Sequence, residues 1–194
     1  QGLSVAQMIK MAADPNHVKR EEVARNPDCP GDQLEKLSMD AQRSVAEAVY
    51  ANPRCPEHVL SIRLNLVKGQ PQYDHGMFKL ACLNGNAPQD LLIRMIDEDV
   101  LDDDLRASLA ACAKGEALQF KLARDRLASV VAGLILNPSL LASVKSKLLE
   151  EGKSSVRQAF AKHPGLTEDE QRSLLSNASP ALRGTLSKNP KLSA

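Results

Sequence analysis

Four cysteines, four histidines and one dense acidic run are the residues here whose chemistry could amount to more than packing. Thiolates and imidazoles hold zinc when they recur at ligand spacing, as in C-x-x-C or H-x-x-x-H. Cys29, Cys55, Cys82 and Cys112 contain no such pair, and neither do His17, His58, His75 and His163. Nucleophile elbows of the G-x-S-x-G type and phosphate-binding glycine loops have no match either. The acidic run, Asp97-Glu98-Asp99-Val100-Leu101-Asp102-Asp103-Asp104, packs six carboxylates into eight residues. Its spacing lacks the ligand positions and the glycine of a calcium loop. Carboxylates that act as acid and base need a pocket that separates their pKa values, and a short polar turn implies none. The run reads as a solvated turn with helix N-caps, in which Asp102, Asp103 and Asp104 could dock a basic partner. Tyr73, Asp74 and His75 stand in a Gly- and Pro-containing stretch, 69–76, with the composition of a loop; loops interrupting a rigid scaffold often carry binding residues.

The elements that must position these residues follow from composition and repetition. Hydrophobic residues are 43% of the 194, yet aromatics are only 3% and Trp is absent, so the core is aliphatic. The net charge of +1 argues against a generic nucleic-acid or membrane binder. Residues 1–113 carry 12 basic against 17 acidic side chains, whereas 114–194 carry 13 against 7. Lys145, Lys147, Lys153, Lys162 and Lys188, with Arg25 in the first half, are the candidates for a basic strip. No run of 18 apolar residues and no signal peptide is present, so a cytoplasmic protein is expected. Gln1-Gly2 reads as a tag remnant, with the chain proper starting at Leu3.

One phrase recurs: an apolar helix end, Asn, Pro, two residues, then often a second Pro. It occurs at Asn26-Pro27-Asp28-Cys29-Pro30 and at Asn52-Pro53-Arg54-Cys55-Pro56. It returns at Asn137-Pro138, His163-Pro164 and Asn189-Pro190, and in weaker form at Asn84-Gly85 and Lys114-Gly115. The anchors at 26, 52, 84, 114, 137, 163 and 189 are 26, 32, 30, 23, 26 and 26 residues apart, a repeat with an irregular middle. Asn tolerates the left-handed conformation that closes a helix, and the following Pro prevents continuation. The second Pro, at 30, 56 and 88, suits the first turn of a new helix, and Thr167 with Glu170 reads as a capping box. Val45/Val49, Val130/Leu134, Val156/Phe160 and Leu182/Leu186 fall seven and three positions before their anchors, on one helical face. A second amphipathic segment follows each anchor, with Leu34/Leu37, Leu92/Met95 and Val144/Leu148 as examples. Each unit is thus a pair of short helices that must stack on its neighbours to bury both faces.

The repeat assigns the cysteines. Cys29 and Cys55 occupy a slot held elsewhere by Ala87, Leu140, Leu166 and Leu192, while Cys82 and Cys112 occupy one held by Ala24, Ile135 and Ala161. They read as small buried hydrophobes. Arg20, Arg157 and Arg183 stand six before their anchors, and six before each of these stands Asp14, Glu151 or Asn177.

The phrase Val23-Ala24-Arg25-Asn26-Pro27-Asp28-Cys29-Pro30, followed by a Leu-x-x-Leu segment and Asp40, resembles the bacterial leucine-rich repeat variant family. The resemblance covers 14–60 and 125–194 best and the middle, 61–124, poorly. It implies a single repeat domain over 1–194, an all-α, right-handed superhelical solenoid of helical hairpins, either alternating α and 3₁₀ or HEAT-like. In HEAT-like arrays an Asp and Arg ladder joins neighbouring repeats, which is the role implied for Arg20 and its equivalents. The family's N-terminal iron–sulfur cysteine cluster has no counterpart here, so no cofactor is carried over. The expected function is a non-catalytic scaffold for a protein or peptide partner; the alternative is nucleic-acid binding through the basic C-terminal half.

Overall fold

The helix boundaries follow the repeat phrase. The computed structural model describes residues 2–66, 68–151, 153–163, 166–176 and 178–189. Gln1, Pro164, Asn177, Pro190 and Leu192, all named above, lie outside the described residues. The described residues are all-helical, and the helices gather in two compact units, 1–95 and 96–194. The boundary falls inside the stretch where the spacing is irregular.

In the first unit, α1 (Val5–Ala12) precedes α2 (His17–Arg25), α4 (Arg43–Ala51) and α6 (His75–Leu83), the helices that lead into anchors. α2 packs on α4 and α4 on α6. α3 (Gly31–Leu37) and α5 (Glu57–Leu64) follow the anchors there, and α7 (Gln89–Asp97), which follows Asn84, runs across the boundary at 95/96. In the second unit, α8 (Asp103–Ala110), α10 (Ala128–Ile135), α12 (Ser154–Phe160) and α14 (Pro180–Leu186) stack in the same way. Their followers are α9 (Glu116–Ala123), α11 (Ala142–Glu150) and α13 (Glu168–Ser176). Of the two geometries the resemblance leaves open, all the described helices are α. The apolar pairs before the anchors are buried in every case, Val45/Val49, Val130/Leu134, Val156/Phe160 and Leu182/Leu186 alike. α8 and α10 approach so closely that a Cβ on Gly133 would come within 2.9 Å of the Ala107 carbonyl oxygen.

The anchor works differently from the expectation. Asn26, Asn52 and Asn84 have φ near −70° and ψ between 124° and 130°, extended rather than left-handed backbone. The Pro after Asn26 and Asn52 enforces this, because its ring excludes the helical region for the residue before it. Among the described non-glycine residues only Asp99, just past the end of α7, is left-handed, at φ 55°. What the anchor contributes is its carboxamide. Asn52 Nδ2 donates to the carbonyls of Ala24 (2.7 Å) and Asn26 (2.9 Å) in the preceding repeat. Its Oδ1 accepts from Arg54 N–H at 2.8 Å, closing its own turn. Asn84 repeats the pattern on Tyr50 and Asn52, and Asn189 donates to Ala161 and His163. These bonds satisfy carbonyls that every helix end leaves without an intrahelical donor.

The ladder also corrects the alignment. Asn137 Nδ2 donates to Ala110 and Ala113 (2.9 and 2.8 Å), so the preceding anchor slot is held by Ala113, not Lys114. One extra residue in that turn explains the shift, and it moves Cys112 to the exposed position just before the anchor. Cys29, Cys55 and Cys82 are buried as expected, but Cys112 is not. The second Pro is corrected by one residue as well: Pro30 and Pro56 are the N-cap residues of α3 and α5, just outside the helix. The Thr167–Glu170 capping box forms in both directions.

Replacing Asn52 by Ala removes three hydrogen bonds and strands the Ala24 carbonyl, while the Asn26 carbonyl keeps the Cys29 N–H. A loss of about 2–4 kcal/mol in urea unfolding is expected, and a loss below about 0.5 kcal/mol, the surface-substitution range, would show that the ladder is dispensable. Burial pushes the Cys29 thiol up to about 11 and that of Cys55 up to about 12. Burial raises the Cys112 thiol too, but it alone is exposed, so iodoacetamide should alkylate Cys112 alone in the native protein and all four thiols after unfolding. Prompt native labelling of Cys29 or Cys55, read by mass spectrometry, would contradict this burial.

Candidate functional site

Charged side chains near the helix starts form the first candidate set, and the structure ties most of them into the scaffold. Asp74 is the N-cap of α6, accepting from Met77 N–H at 2.9 Å, and its other oxygen meets Arg43 at 3.2 Å. Tyr73 Oη and His75 Nδ1 share a hydrogen bond of 3.2 Å, and the Tyr73 ring lies 5.6 Å from that of Phe78. The three residues are thus together, folded onto the start of α6. Among the acidic residues, Asp102 caps α8 by accepting from Leu105 N–H. Asp103 pairs with the buried Arg106 at 2.8 Å, Asp99 contacts both Arg106 and Arg126, and Asp97 pairs with Lys121. Asp102, Asp103 and Asp104 do line one open hollow, with Asp99, Leu101 and Arg126.

The lysines are dispersed over different elements. Lys145 and Lys147 lie on α11, and Lys153 is the N-cap of α12. Lys145 bonds Glu170 at 2.7 Å, Lys153 lies 3.4 Å from Glu151, and Lys147 lies 4.0 Å from Glu150. Burial raises the Glu170 pKa, but hydrogen bonds from Lys145 and the Thr167 backbone outweigh it and hold the group below its ordinary value. Lys162 and Lys188 are exposed, each one residue before its anchor, the slot that Leu136 and Cys112 also occupy.

The arginines six before the anchors do join repeats, but across to the next repeat. Arg20 grips the Asp40 carboxylate with Nε and Nη2, at 2.6 and 2.9 Å, while its Nη1 donates to the carbonyls of Asp14 and Pro15. Asp14, Asp40 and Asp125, each twelve before an anchor, all accept from the N–H two residues on. Arg106 is the equivalent of Arg20 once the extra residue is allowed for, and its Nε lies 3.8 Å from Asp125. Arg157 instead donates to the carbonyls of Ser173 and Leu174 at the end of α13. Gln119, fully buried, links Ala113 and Ser139 through Nε2 and Leu141 through Oε1. Sequence reasoning missed Arg106 because the misplaced anchor hid its slot, and it had no rule for Gln119.

A further site was also missed. In the first unit Glu35, Ser38, Met39, Tyr50, Val59, Ile62, Arg63, Leu66 and Gln72 line a groove of about 230 Å³. Met39 is 80% exposed and Ile62 63% exposed on it, while Tyr50 and Val59 are buried. The Arg63 guanidinium stacks over the Tyr50 ring at 4.9 Å, and Nη1 donates to the Gln72 carbonyl at 2.8 Å. Among the described residues no group of three or more His, Cys, Asp and Glu side chains is placed to hold a metal ion. No described helix is long and apolar enough to cross a membrane.

Paired helices recurring with an Asn ladder define a helical repeat protein. The sequence profile of the leucine-rich repeat variant family matches residues 20–42, from Arg20 through the Asn26 anchor to just beyond Asp40. A solved structure described as a leucine-rich repeat variant with a novel repetitive protein structural motif is similar at 21% identity. That match covers 96% of this chain and 72% of the other, with a TM-score of 0.49. No curated protein matches the chain.

The Arg20 hydrogen bond holds the Asp40 carboxyl below its ordinary value. A depressed carboxylate stabilises the fold above its unfolded pKa, about 4, and that contribution is lost as pH falls through the lower folded value. Asp40→Asn should therefore destabilise the protein at pH 7, with the gap to the parent closing toward pH 2. Urea unfolding at both pH values checks this; an equal gap at each would remove the ion pair from the account.

Proposed function

We propose that this chain is a non-catalytic scaffold that binds a protein or peptide partner, and that the groove flanked by Met39 and Ile62 is its contact surface. The single observation that carries the reading is that these two exposed apolar side chains line one concave surface. Isolated exposed hydrophobes are ordinary, but clustered ones around a groove mark interaction sites. Repeats supply such surfaces without needing a reactive pocket. The alternative, nucleic-acid binding by the basic second half, draws on Lys162 and Lys188, but Lys145, Lys147 and Lys153 face glutamates. A duplex contact would also weaken steeply with salt.

Pull-downs from source-cell lysate, with and without nuclease, separate the two. One protein retained regardless of nuclease, and lost with Met39→Asp or Ile62→Asp, is the expected result. Complete loss on nuclease treatment would favour the alternative, and retention by both variants would move the contact away from this groove.

A further inference from the structure

Aligning the repeats on their anchors exposes one substitution that the fold does not ask for. Eleven residues after the anchors at 26, 84, 137 and 163 stand Leu37, Met95, Leu148 and Leu174, exposed by 3, 4, 2 and 1%. After Ala113 the slot holds Arg124, which is exposed, but after Asn52 it holds Arg63, exposed by only 9%. A guanidinium thus sits where the repeat buries an apolar side chain.

Its charge has little to answer it. Nη1 has the Gln72 carbonyl and the Tyr50 ring lies beneath, but Nε is buried without an acceptor. Among the described residues no carboxylate lies within ion-pair distance of Arg63. Glu35 is the one acid lining the groove, and its Oε2 lies 3.2 Å from His58 Nε2. A buried cation is costly until a hydrogen-bonded anion reaches it, and Arg presents a fork that fits a carboxylate.

Deepening the scaffold reading, on which it rests, we infer that the groove takes a peptide segment of a partner protein carrying an Asp or Glu side chain beside an apolar residue. The carboxylate meets Arg63, and the apolar side chain lies between Met39 and Ile62. Charge complementarity selects this occupant: a groove with exposed apolar sides and one buried cation without a carboxylate partner fits an acidic and apolar segment and rejects a basic one.

Arg63→Leu, which restores the residue of the other repeats, tests this directly. A phage library of random octapeptides is selected on the full chain, and a synthetic peptide of the most enriched sequence is titrated into parent and variant. The expected sequence pairs Asp or Glu with an apolar residue. Its affinity should fall about 30-fold or more in R63L, and by a similar factor when its acid becomes the amide, with no further loss when both changes are combined. The Tm of R63L should equal or exceed that of the parent, since apolar replacement of a buried charge is commonly neutral or stabilising. Enriched peptides without an acid, or binding unchanged in R63L, would overturn the carboxylate while leaving the scaffold standing. A lower Tm in R63L would make Arg63 a structural residue and overturn the inference. Failure to enrich any peptide would overturn it as well, whereas the scaffold reading is decided separately by the Met39 and Ile62 variants.

Discussion

Where the anchor is Asn, neighbouring repeats are tied by its carboxamide. The anchor Asn presents two donors on one nitrogen and an acceptor on its oxygen, and all three are used: the donors hold two carbonyls of the preceding repeat, the acceptor holds its own turn. Asp has no donors to offer, and Ser has one. The following Pro contributes by removing the helical option for the Asn backbone, which swings the side chain out of its own helix and toward the neighbour. Once that distance is set, the apolar positions three and seven before each anchor fall onto one another, and burial follows.

Charge plays the same connecting part on another edge of the repeat. Arg20 to Asp40 and Arg106 toward Asp125 each run from one repeat to the next, with the Asp also closing the turn that begins its own helix. Asp74, Asp102 and Lys145, which their types and positions mark as candidates for a partner, prove to be a cap, a cap and an inter-repeat pair. A repeat protein of short helices has many helix ends, and each end attracts the polar side chains that in another fold would be free for chemistry.

What was legible in the sequence was whatever recurred. Three spacings of 26 made Asn52 and Asn137 anchors, placed Val45 and Val49 in the core and predicted the capping box at Thr167. The conformation of the anchor was not legible from propensity, because Asn is a good left-handed residue, yet even Asn84, followed by Gly85, is extended, held by its carboxamide bonds to Tyr50 and Asn52. Arg106 was hidden by a single inserted residue in a turn whose anchor, Ala113, lacks the side chain that identifies the others. Arg63 was legible in principle: counting forward from Asn52 as well as backward would have placed it among Leu37, Leu148 and Leu174.

A repeat supplies an expectation for each slot, so a departure can be weighed against the fold's own requirement. Arg106 and Arg63 make the comparison sharp. Both are arginines with nearly complete burial, and both have an Nε without a hydrogen-bond acceptor. Around Arg106 stand Asp99, Asp103 and Asp125, three carboxylates within 4 Å, and the slot itself recurs as arginine in Arg20, Arg157 and Arg183. Around Arg63 stand one carbonyl and one aromatic face, and where the slot is buried in the other repeats it is leucine or methionine. The first arginine is explained by the fold that surrounds it. The second is not, since a leucine would fill its place without a charge to desolvate, and it lies against the groove where Met39 and Ile62 are left exposed. A costly residue beside an exposed apolar pair is what the proposed acidic and apolar segment would answer on both counts.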